Sequence, residues 1–201
     1  MDTLDAIYER RAIKHYDADH TMTADEERKL LEAAMQSPTS FNMQNWRFVV
    51  VKDKALRQQV KQAAWGQAQI TDASLLIVLC ADLKAYANDP KRYWEGAPKE
   101  IGERLAGMMI PFYEGKEQLQ RDEAMRSVGI AGQTIMLTAK AMGYDSCPMI
   151  GFDQDAVARI INLPPDHAIG FIIVVGKRAS DPWDKVGQLA FEQVVVTDKF
   201  G

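Results

Sequence analysis

Cysteine is scarce in this sequence, and the two cysteines present lie far apart. Cys80 and Cys147 do not form a CxxC pair with each other or with any other residue. Two isolated thiols argue against a disulfide-stapled extracellular scaffold and against a cysteine-rich zinc site. We therefore expect a protein of the reducing cytoplasm.

Long apolar runs and a large excess of charge are also missing. The longest apolar run covers residues 75–81, far short of the roughly 20 residues that a membrane-spanning helix needs. The start, MDTLDAIYER, is acidic and amphipathic and lacks the apolar centre of a signal peptide. The 24 basic and 28 acidic residues give a net charge of −4. We expect neither a membrane nor a nucleic acid as partner.

The short motifs of several enzyme classes are absent as well. No GxGxxG follows an apolar run and no GxxxxGK[ST] occurs, which argues against a Rossmann dinucleotide site and a P-loop. No GxSxG marks a hydrolase nucleophile. The three histidines, His15, His20 and His167, lack the spacing of a zinc site, so we expect no metal.

What is present is enough apolar sequence for one core. The 201 residues are 47% hydrophobic and contain no repeat or linker, which predicts a single domain over residues 1–201. Apolar, β-branched runs predict buried strands at 46–52, 74–82 and 168–176, and the end of the chain, 191–200, also has strand character. Helical patterns separate the strands, and Thr23 and Glu26 have the spacing of a capping box. This order predicts an α/β or α+β sandwich with helices on both faces of the sheet.

Two stretches are unusual. Residues 122–142 predict a helix that is apolar or small almost all round and ends at Gly143. We expect it to be buried on most sides, with Gly129 and Gly132 packed closely against another helix, as at a subunit interface. Residues 83–121 are charged and aromatic, and they predict a mobile loop followed by a helix interrupted near Pro111.

Three distant segments carry the functional signal. The first, RRAIKHYD, places the cations Arg10, Arg11 and Lys14 directly after the opening helix. The second, SPTSFNMQNWRF, is a polar loop before the first strand, and the third, PMIGFD, precedes a late helix. Cations at the end of a helix can serve its exposed carbonyl groups, and they can equally bind an anionic ligand.

Together and in this order, the segments resemble those of the flavin-dependent nitroreductase family, whose usual forms are close to RRSxRxF, SPSSxNxQPW and PxxGF. The likeness in element order and length covers nearly the whole chain. It implies a nitroreductase-like α+β fold with a mixed, mainly antiparallel sheet flanked by helices. It also implies a homodimer that binds FMN at the subunit interface.

The resemblance implies a role for each matching residue. Arg10 and Arg11 would meet the FMN phosphate, because guanidinium groups bind its oxygens with charge-assisted hydrogen bonds. Lys14 would lie beside the pyrimidine edge, where reduction leaves negative charge. The backbone N–H of Gly151 would point at flavin N5, where a residue without Cβ allows close approach. The other implied cofactor contacts are Ala12, Gln67, Gln69, Met149 and Ile150, with Pro38, Thr39, Ser40 and Asn42 supplied by the partner subunit.

Several of these residues have simpler interpretations. Lys14 could be a solvated charge, Ser40 and Asn42 could stabilise their own loop, and Gly151 could serve only a turn. We expect Trp46 to pack in the core at the start of its strand, and Cys147 to be an inert small hydrophobe.

The chain also departs from the family pattern. Ala12 replaces the usual serine, Asn45 replaces a proline, and Gln188 stands where relatives have an arginine that completes the phosphate site. Lys177 and Arg178, or alternatively Lys185, could supply the missing charge.

The resemblance implies an FMN-dependent oxidoreductase that transfers a hydride from NADH or NADPH, through flavin N5, to a small-molecule acceptor. The acceptor would be a nitroaromatic, a quinone or a similar compound, and the mechanism would be ping-pong. No catalytic side chain is expected, because the flavin carries the chemistry. Residues 83–121 would form a variable lid over the substrate. The alternatives are a non-catalytic FMN-binding or sensor protein, or another reaction on the same scaffold, such as reductive dehalogenation.

Overall fold

The computed structural model describes residues 1–200 and has a four-stranded sheet at its centre. The strands are β1 (Trp46–Val50), β2 (Leu75–Asp82), β3 (Asp145–Met149) and β4 (His167–Gly176), in the spatial order β1-β2-β4-β3. All neighbouring strands are antiparallel. The α+β class is confirmed. A mixed, mainly antiparallel sheet was expected. Within residues 1–200 the parallel pairing consists of one isolated bridge, between Ala12 and Ser146.

Eight helices surround this sheet within residues 1–200. They are α1 (Thr3–Glu9), α2 (Ala24–Ala34), α3 (Lys54–Ala63), α4 (Gln69–Asp72), α5 (Lys99–Tyr113), α6 (Glu117–Ala141), α7 (Gln154–Ile160) and α8 (Phe191–Val194). Short 3-10 turns cover Ser40–Asn42 and Pro90–Trp94. No helix in this part of the chain is long and apolar enough to cross a membrane.

The starts and ends of several helices follow their local sequence. The Glu26 N–H donates to Thr23 Oγ1, and the Thr23 N–H donates to the carboxylate of Glu26. This pair of bonds confirms the predicted capping box. Gly143 follows α6 with φ +78°, a conformation that glycine adopts without strain.

Helices cover both faces of the sheet, as predicted. Side chains of β2 alternate between the faces, because successive residues of a strand point in opposite directions. Leu76 and Val78 pack with Val60 of α3 and Val157 of α7. On the other face, Ile77 and Leu79 pack with α2 and α6 through Leu30, Val128 and Ile135.

Helix α6 corrects one expectation. A Cβ at Gly132 would lie 2.2 Å from Cζ of Phe171, so this glycine allows close packing against strand β4 and not against a helix. Gly129 has no atom within 4 Å of such a position, and its neighbour Ile130 is 44% exposed. The helix packs against the sheet and against α1, α2 and α5, and only the side that carries Gly129 and Ile130 is open in the single chain.

Three other local expectations were wrong. Helix α6 begins at Glu117, earlier than predicted, and α5 continues through Pro111. Proline removes only one helical hydrogen bond there, and the carbonyl that loses it belongs to Gly107, which is exposed to water. The end of the chain forms the short helix α8 and no strand, because no strand among the described residues lies beside it to share hydrogen bonds.

Only part of the predicted lid packs in the protein, and most of its residues are exposed. Tyr86, Tyr93 and Tyr113 are buried with Met43 and Met109 in a small core of their own. The segment expected to be a mobile loop contains the 3-10 turn Pro90–Trp94. A lid role for residues 83–121 stays a prediction, as does the single-domain assignment for residues 1–201.

Candidate active site

The first signal segment lies along the outer edge of β3. Arg10 ends α1, with its N–H bound to the carbonyl of Ala6 at 3.1 Å. The chain then extends, and the N–H of Ile13 donates to the carbonyl of Ser146 at 3.1 Å. This pairing fixes the cations of the segment beside the strand that leads to Gly151.

The three cations of this segment differ in their partners. Arg11 Nη1 donates to the carbonyls of Tyr8 (2.8 Å) and Arg10 (3.0 Å), so Arg11 does serve the end of α1. Within residues 1–200, Arg10 and Lys14 form no ion pair and no side-chain hydrogen bond, whereas Arg11 forms these two hydrogen bonds. Both lie close enough to Cys147 for their charges to lower the pKa of its thiol, although burial of the thiol has the larger effect and raises the pKa. The result is a pair of unneutralised positive charges beside β3.

Gly151 follows β3 after one intervening residue, Ile150, and its other chain neighbour, Phe152, is buried. Met149 is buried, whereas Ile150 is 77% exposed. The side-chain amide of Gln67 donates to the carbonyl of Gly151 at 2.7 Å, and the amide of Gln69 donates to Gln67 Oε1 at 3.0 Å. The structure thus brings the two predicted glutamines to the predicted glycine, where they hold its backbone in place.

Trp65 also lies at this point, and sequence reasoning missed it. Its Cζ3 is 3.3 Å from the position that a Cβ on Gly151 would take. The side chain is 71% exposed and its backbone has φ +53°, which is unusual for a bulky residue. No pattern in the sequence marks it, because its contact with Gly151 joins segments far apart in the chain.

The second signal segment lies at the other side of the sheet, before β1. Tyr113 donates its hydroxyl proton to Ser40 Oγ at 2.9 Å, and the Asn42 amide donates to the carbonyl of Tyr93 at 2.8 Å. Thr39 Oγ1 accepts from the N–H of Gln44 at 3.0 Å, while Pro38 is exposed. Ser40 and Asn42 therefore bind residues of the segment 83–121, and these are not the local bonds within their own loop that were considered. Each keeps polar capacity that these bonds do not use.

These two groups of residues do not meet within one chain. The loop at 38–44 leads into β1, at one edge of the sheet, whereas Arg10, Lys14 and Gly151 lie along β3, at the opposite edge. Three strand spacings separate the two edges, which is about 14 Å at ~4.8 Å per spacing.

The tail of the chain closes over the first segment. A cavity of about 380 Å³ is lined by Arg11, Ala12 and Lys14 on one side and by Trp183 and Lys185 on the other.

The tail cations considered for the phosphate site differ in position. Lys177 donates to the carbonyl of Gly143 at 2.6 Å and lies 4.1 Å from the ring centre of Tyr144. Arg178 contacts Asp181 at 3.2 Å and Asp145 at 3.9 Å. Of the three, Lys185 lines the cavity. It is therefore the best placed to replace the arginine that relatives have at the position of Gln188.

The buried polar atoms without a hydrogen-bond partner point to the same two regions. Within residues 1–200 they are Tyr16 Oη, Asn45 Oδ1, Trp46 Nε1, Trp94 Nε1 and Ser146 Oγ. Tyr16 belongs to the first segment, Ser146 pairs with that segment, and the others lie close to the loop at 38–44. Trp46 itself is 6% exposed and stacks on Phe48, which confirms the prediction that it packs in the core.

Comparison with known proteins decides the family. A model described as the nitroreductase family matches residues 7–177. The chain belongs to the nitroreductase family. Protein DrgA of Synechocystis is 59% identical over 181 residues, which are 90% of this chain and 86% of DrgA.

Solved structures of other family members share the fold of this nitroreductase-family chain. One from Staphylococcus epidermidis, described as an NAD(P)H:FMN oxidoreductase, matches with a TM-score of 0.91 and 26% identity, over 97% of this chain and 95% of that one. Another from Exiguobacterium sibiricum, described as a nitroreductase in complex with FMN, has a TM-score of 0.90 at 24% identity, over 98% of this chain and 97% of that one. The nitroreductase-like fold is therefore confirmed.

Proposed function

We propose that this protein is a homodimeric, FMN-dependent oxidoreductase of the cytoplasm. When bound, FMN would take a hydride at N5 from NADH or NADPH and deliver it to a nitroaromatic, a quinone or a similar acceptor, in a ping-pong sequence. Family membership and the description of a structural relative as an NAD(P)H:FMN oxidoreductase support this reaction class.

The observation that carries the proposal is the pair of unneutralised cations, Arg10 and Lys14. An unpaired charge on the surface needs no explanation, but here two of them lie on one segment fixed to β3, and Lys14 lines a cavity with Lys185. A phosphate carries nearly two negative charges at neutral pH. Arg10 therefore fits the phosphate of FMN in sign, and Lys14 is suited to stabilise negative charge on the pyrimidine edge.

The Gly151 backbone fits the flavin edge that includes N5. A side chain at this position would extend toward Trp65 and Gln67, which are 3.3 and 3.6 Å from the position of a Cβ. Glycine leaves this space open, so that the peptide N–H can approach a planar ring. The bond from Gln67 to the Gly151 carbonyl limits rotation of the segment and so orients that N–H.

A second copy of the chain would complete the site. In one chain, Ser40 and Asn42 lie before β1, at the opposite edge of the sheet from the strand that leads to Gly151, and the loop of a second copy would supply these residues to the same cofactor. Large apolar side chains on the outer sides of α1, α5 and α6 are exposed, as expected of a surface that a second copy covers. They include Leu4, Ile7, Tyr8, Met108, Phe112 and Ile130.

The test is an anaerobic titration of the purified protein. We expect FMN to bind stoichiometrically per chain, and NADH or NADPH to bleach the visible absorbance of the bound flavin. Addition of a quinone or a nitroaromatic compound should restore it. The molar mass in solution, measured by light scattering, should be that of a dimer.

The outcomes separate the proposal from its rivals. A protein that binds FMN but whose flavin neither nucleotide reduces would be a binding or sensor protein. Reduction by nucleotide without reoxidation by nitroaromatics or quinones would favour another reaction, such as reductive dehalogenation. A monomer that gains no absorbance and no thermal stability with FMN would refute the proposal altogether.

A further inference from the structure

The loop before β1 has an unusual backbone. Phe41, Asn42 and Gln44 have φ values of +52°, +51° and +43°. Only seven non-glycine residues in the described chain have positive φ, so nearly half of them lie in this one turn. Such conformations cost free energy and persist only where surrounding contacts impose them.

Besides the bonds of Thr39, Ser40 and Asn42, Arg47 provides contacts that hold the end of this turn. Its Nη1 donates to the carbonyls of Gln44 (2.8 Å) and Trp46 (2.9 Å), and its Nη2 donates to Asp82 Oδ2 at 3.2 Å. The Asp82 side chain is only 7% exposed. Its other oxygen accepts the N–H of Lys84 at 2.9 Å. Both oxygens of the Asp82 carboxylate therefore accept hydrogen bonds, and the bond to Nη2 limits the movement of the Arg47 guanidinium.

We propose that Arg47 is a positioning residue for the flavin site, an inference that rests on the proposed function. Its guanidinium, held by Asp82, keeps the turn at 41–44 in its left-handed conformation. That conformation directs the unused polar groups of Ser40 and Asn42 outward, toward the cofactor of the second copy.

The choice of arginine follows from geometry. The planar guanidinium reaches two carbonyls and a carboxylate at once, whereas a lysine ammonium is a point charge on a flexible stem. A lysine would keep the ion pair with Asp82 and lose the hold on the carbonyl of Gln44. Asp82 also lies near Asp166 and His167, with possible ligand atoms within 4.8 Å of one another. Arg47 and the Lys84 N–H already bind both Asp82 oxygens. We therefore infer that Asp82 serves to hold Arg47 and the loop, and that this cluster does not bind a metal.

The test variant is Arg47→Lys, with Lys52→Ala as the matched control. Lys52 follows the opposite end of β1 and pairs with Glu27 at 2.8 Å, so the control also removes an ion pair near this strand. Hydrogen exchange of residues 39–45 in the protein without FMN reports the hold on the loop directly. Flavin titration and steady-state kinetics then report its effect on the site.

We expect loop exchange to become about tenfold faster in Arg47→Lys, the change that corresponds to one lost hydrogen bond at the upper end of the usual range. The Kd for FMN should rise several-fold and kcat should fall, while the exchange of β2 and β4 stays unchanged. Lys52→Ala should alter none of these. If Arg47→Lys does not fold, Asp82→Asn keeps an oxygen for the guanidinium and should show the same changes at smaller amplitude.

Two results would overturn the inference. Unchanged exchange in the loop would show that Arg47 does not hold it. Faster exchange with unchanged FMN affinity and kinetics would reduce Arg47 to a purely structural role. Failure of the unmodified protein to bind FMN would refute the proposed function and the flavin part of this inference, whereas the exchange measurement would still decide whether Arg47 holds the loop.

Discussion

Replacement of Gln67 by alanine tests whether Gly151 must be held in place to bind the cofactor. The substitution removes the 2.7 Å hydrogen bond to the Gly151 carbonyl and leaves Gln69 without its acceptor. A hydrogen bond of this kind contributes about 0.5–1.5 kcal/mol net. Since about 1.4 kcal/mol is a factor of ten in affinity, we expect the Kd for FMN to rise about two- to tenfold. Gly151 is only half-buried, so water can replace the lost donor and the lower part of this range is favoured.

The assay is titration of the protein with FMN, followed by the quenching of flavin fluorescence. Gln67→Glu has nearly the same shape as the native side chain but places an acceptor against the carbonyl, so it should weaken binding more than alanine does. Gln62→Ala is the matched control, because Gln62 is exposed on α3 only a few residues away. Its Kd should equal that of the unmodified protein.

The reasoning would be refuted if Gln67→Ala and Gln67→Glu both bound FMN as tightly as the native protein. Such a result would mean that the contact between Gln67 and Gly151 stabilises a turn and has no part in the cofactor site. A loss of affinity accompanied by an equal loss in Gln62→Ala would instead indicate a general disturbance of α3.

Three further predictions concern the cations and the long helix. Arg10→Ala should weaken FMN binding about 10- to 100-fold, the effect of losing one charged hydrogen bond, and unchanged occupancy would return Arg10 to a helix-terminus role. Lys14→Ala should lower the two-electron midpoint potential of the bound flavin by about 30 mV, equivalent to about 1.4 kcal/mol, with a smaller change in occupancy; an unaltered potential would remove Lys14 from the site. Gly132→Ala should lower the thermal midpoint by several degrees, since overpacking against Phe171 costs about 1–3 kcal/mol and each kcal/mol is worth about 2–4 °C at this size. Gly129→Ala meets no atom within 4 Å in its own chain, so equal destabilisation of both variants would contradict this account of the packing of α6.

The parts of the fold that follow from local rules could be predicted from the sequence. The capping box at Thr23 and Glu26 needs only residues three apart, and the strand at 75–82 needs only its own run of apolar side chains. The glycine that ends α6 likewise acts on its own backbone. Each of these signals is complete within one segment, and the structure has each feature where the segment places it.

The features that were missed or wrong depend on contacts between segments. Trp65 is prominent only because Gly151 lies beside it, and the pairing of Lys177 with Gly143 needs the turn after α6 to meet the end of β4. The strand expected at the end of the chain has suitable residues but no neighbouring strand among residues 1–200. Pro111 was given too much weight, because the carbonyl that it leaves unpaired is accessible to water.

The position of the two half-sites is the physical reason to expect that this chain works as a pair. The first half, with Arg10, Lys14 and Gly151, carries positive charge and an open backbone, and it lies along β3. The second half, with Ser40 and Asn42, carries neutral polar groups on a strained turn that leads into β1. In a sheet with the order β1-β2-β4-β3, β2 and β4 lie between the strands to which these halves are attached. We therefore expect one ligand to contact halves from two different copies, and the exposed side of α6 around Ile130 gives the second copy a surface on which to pack.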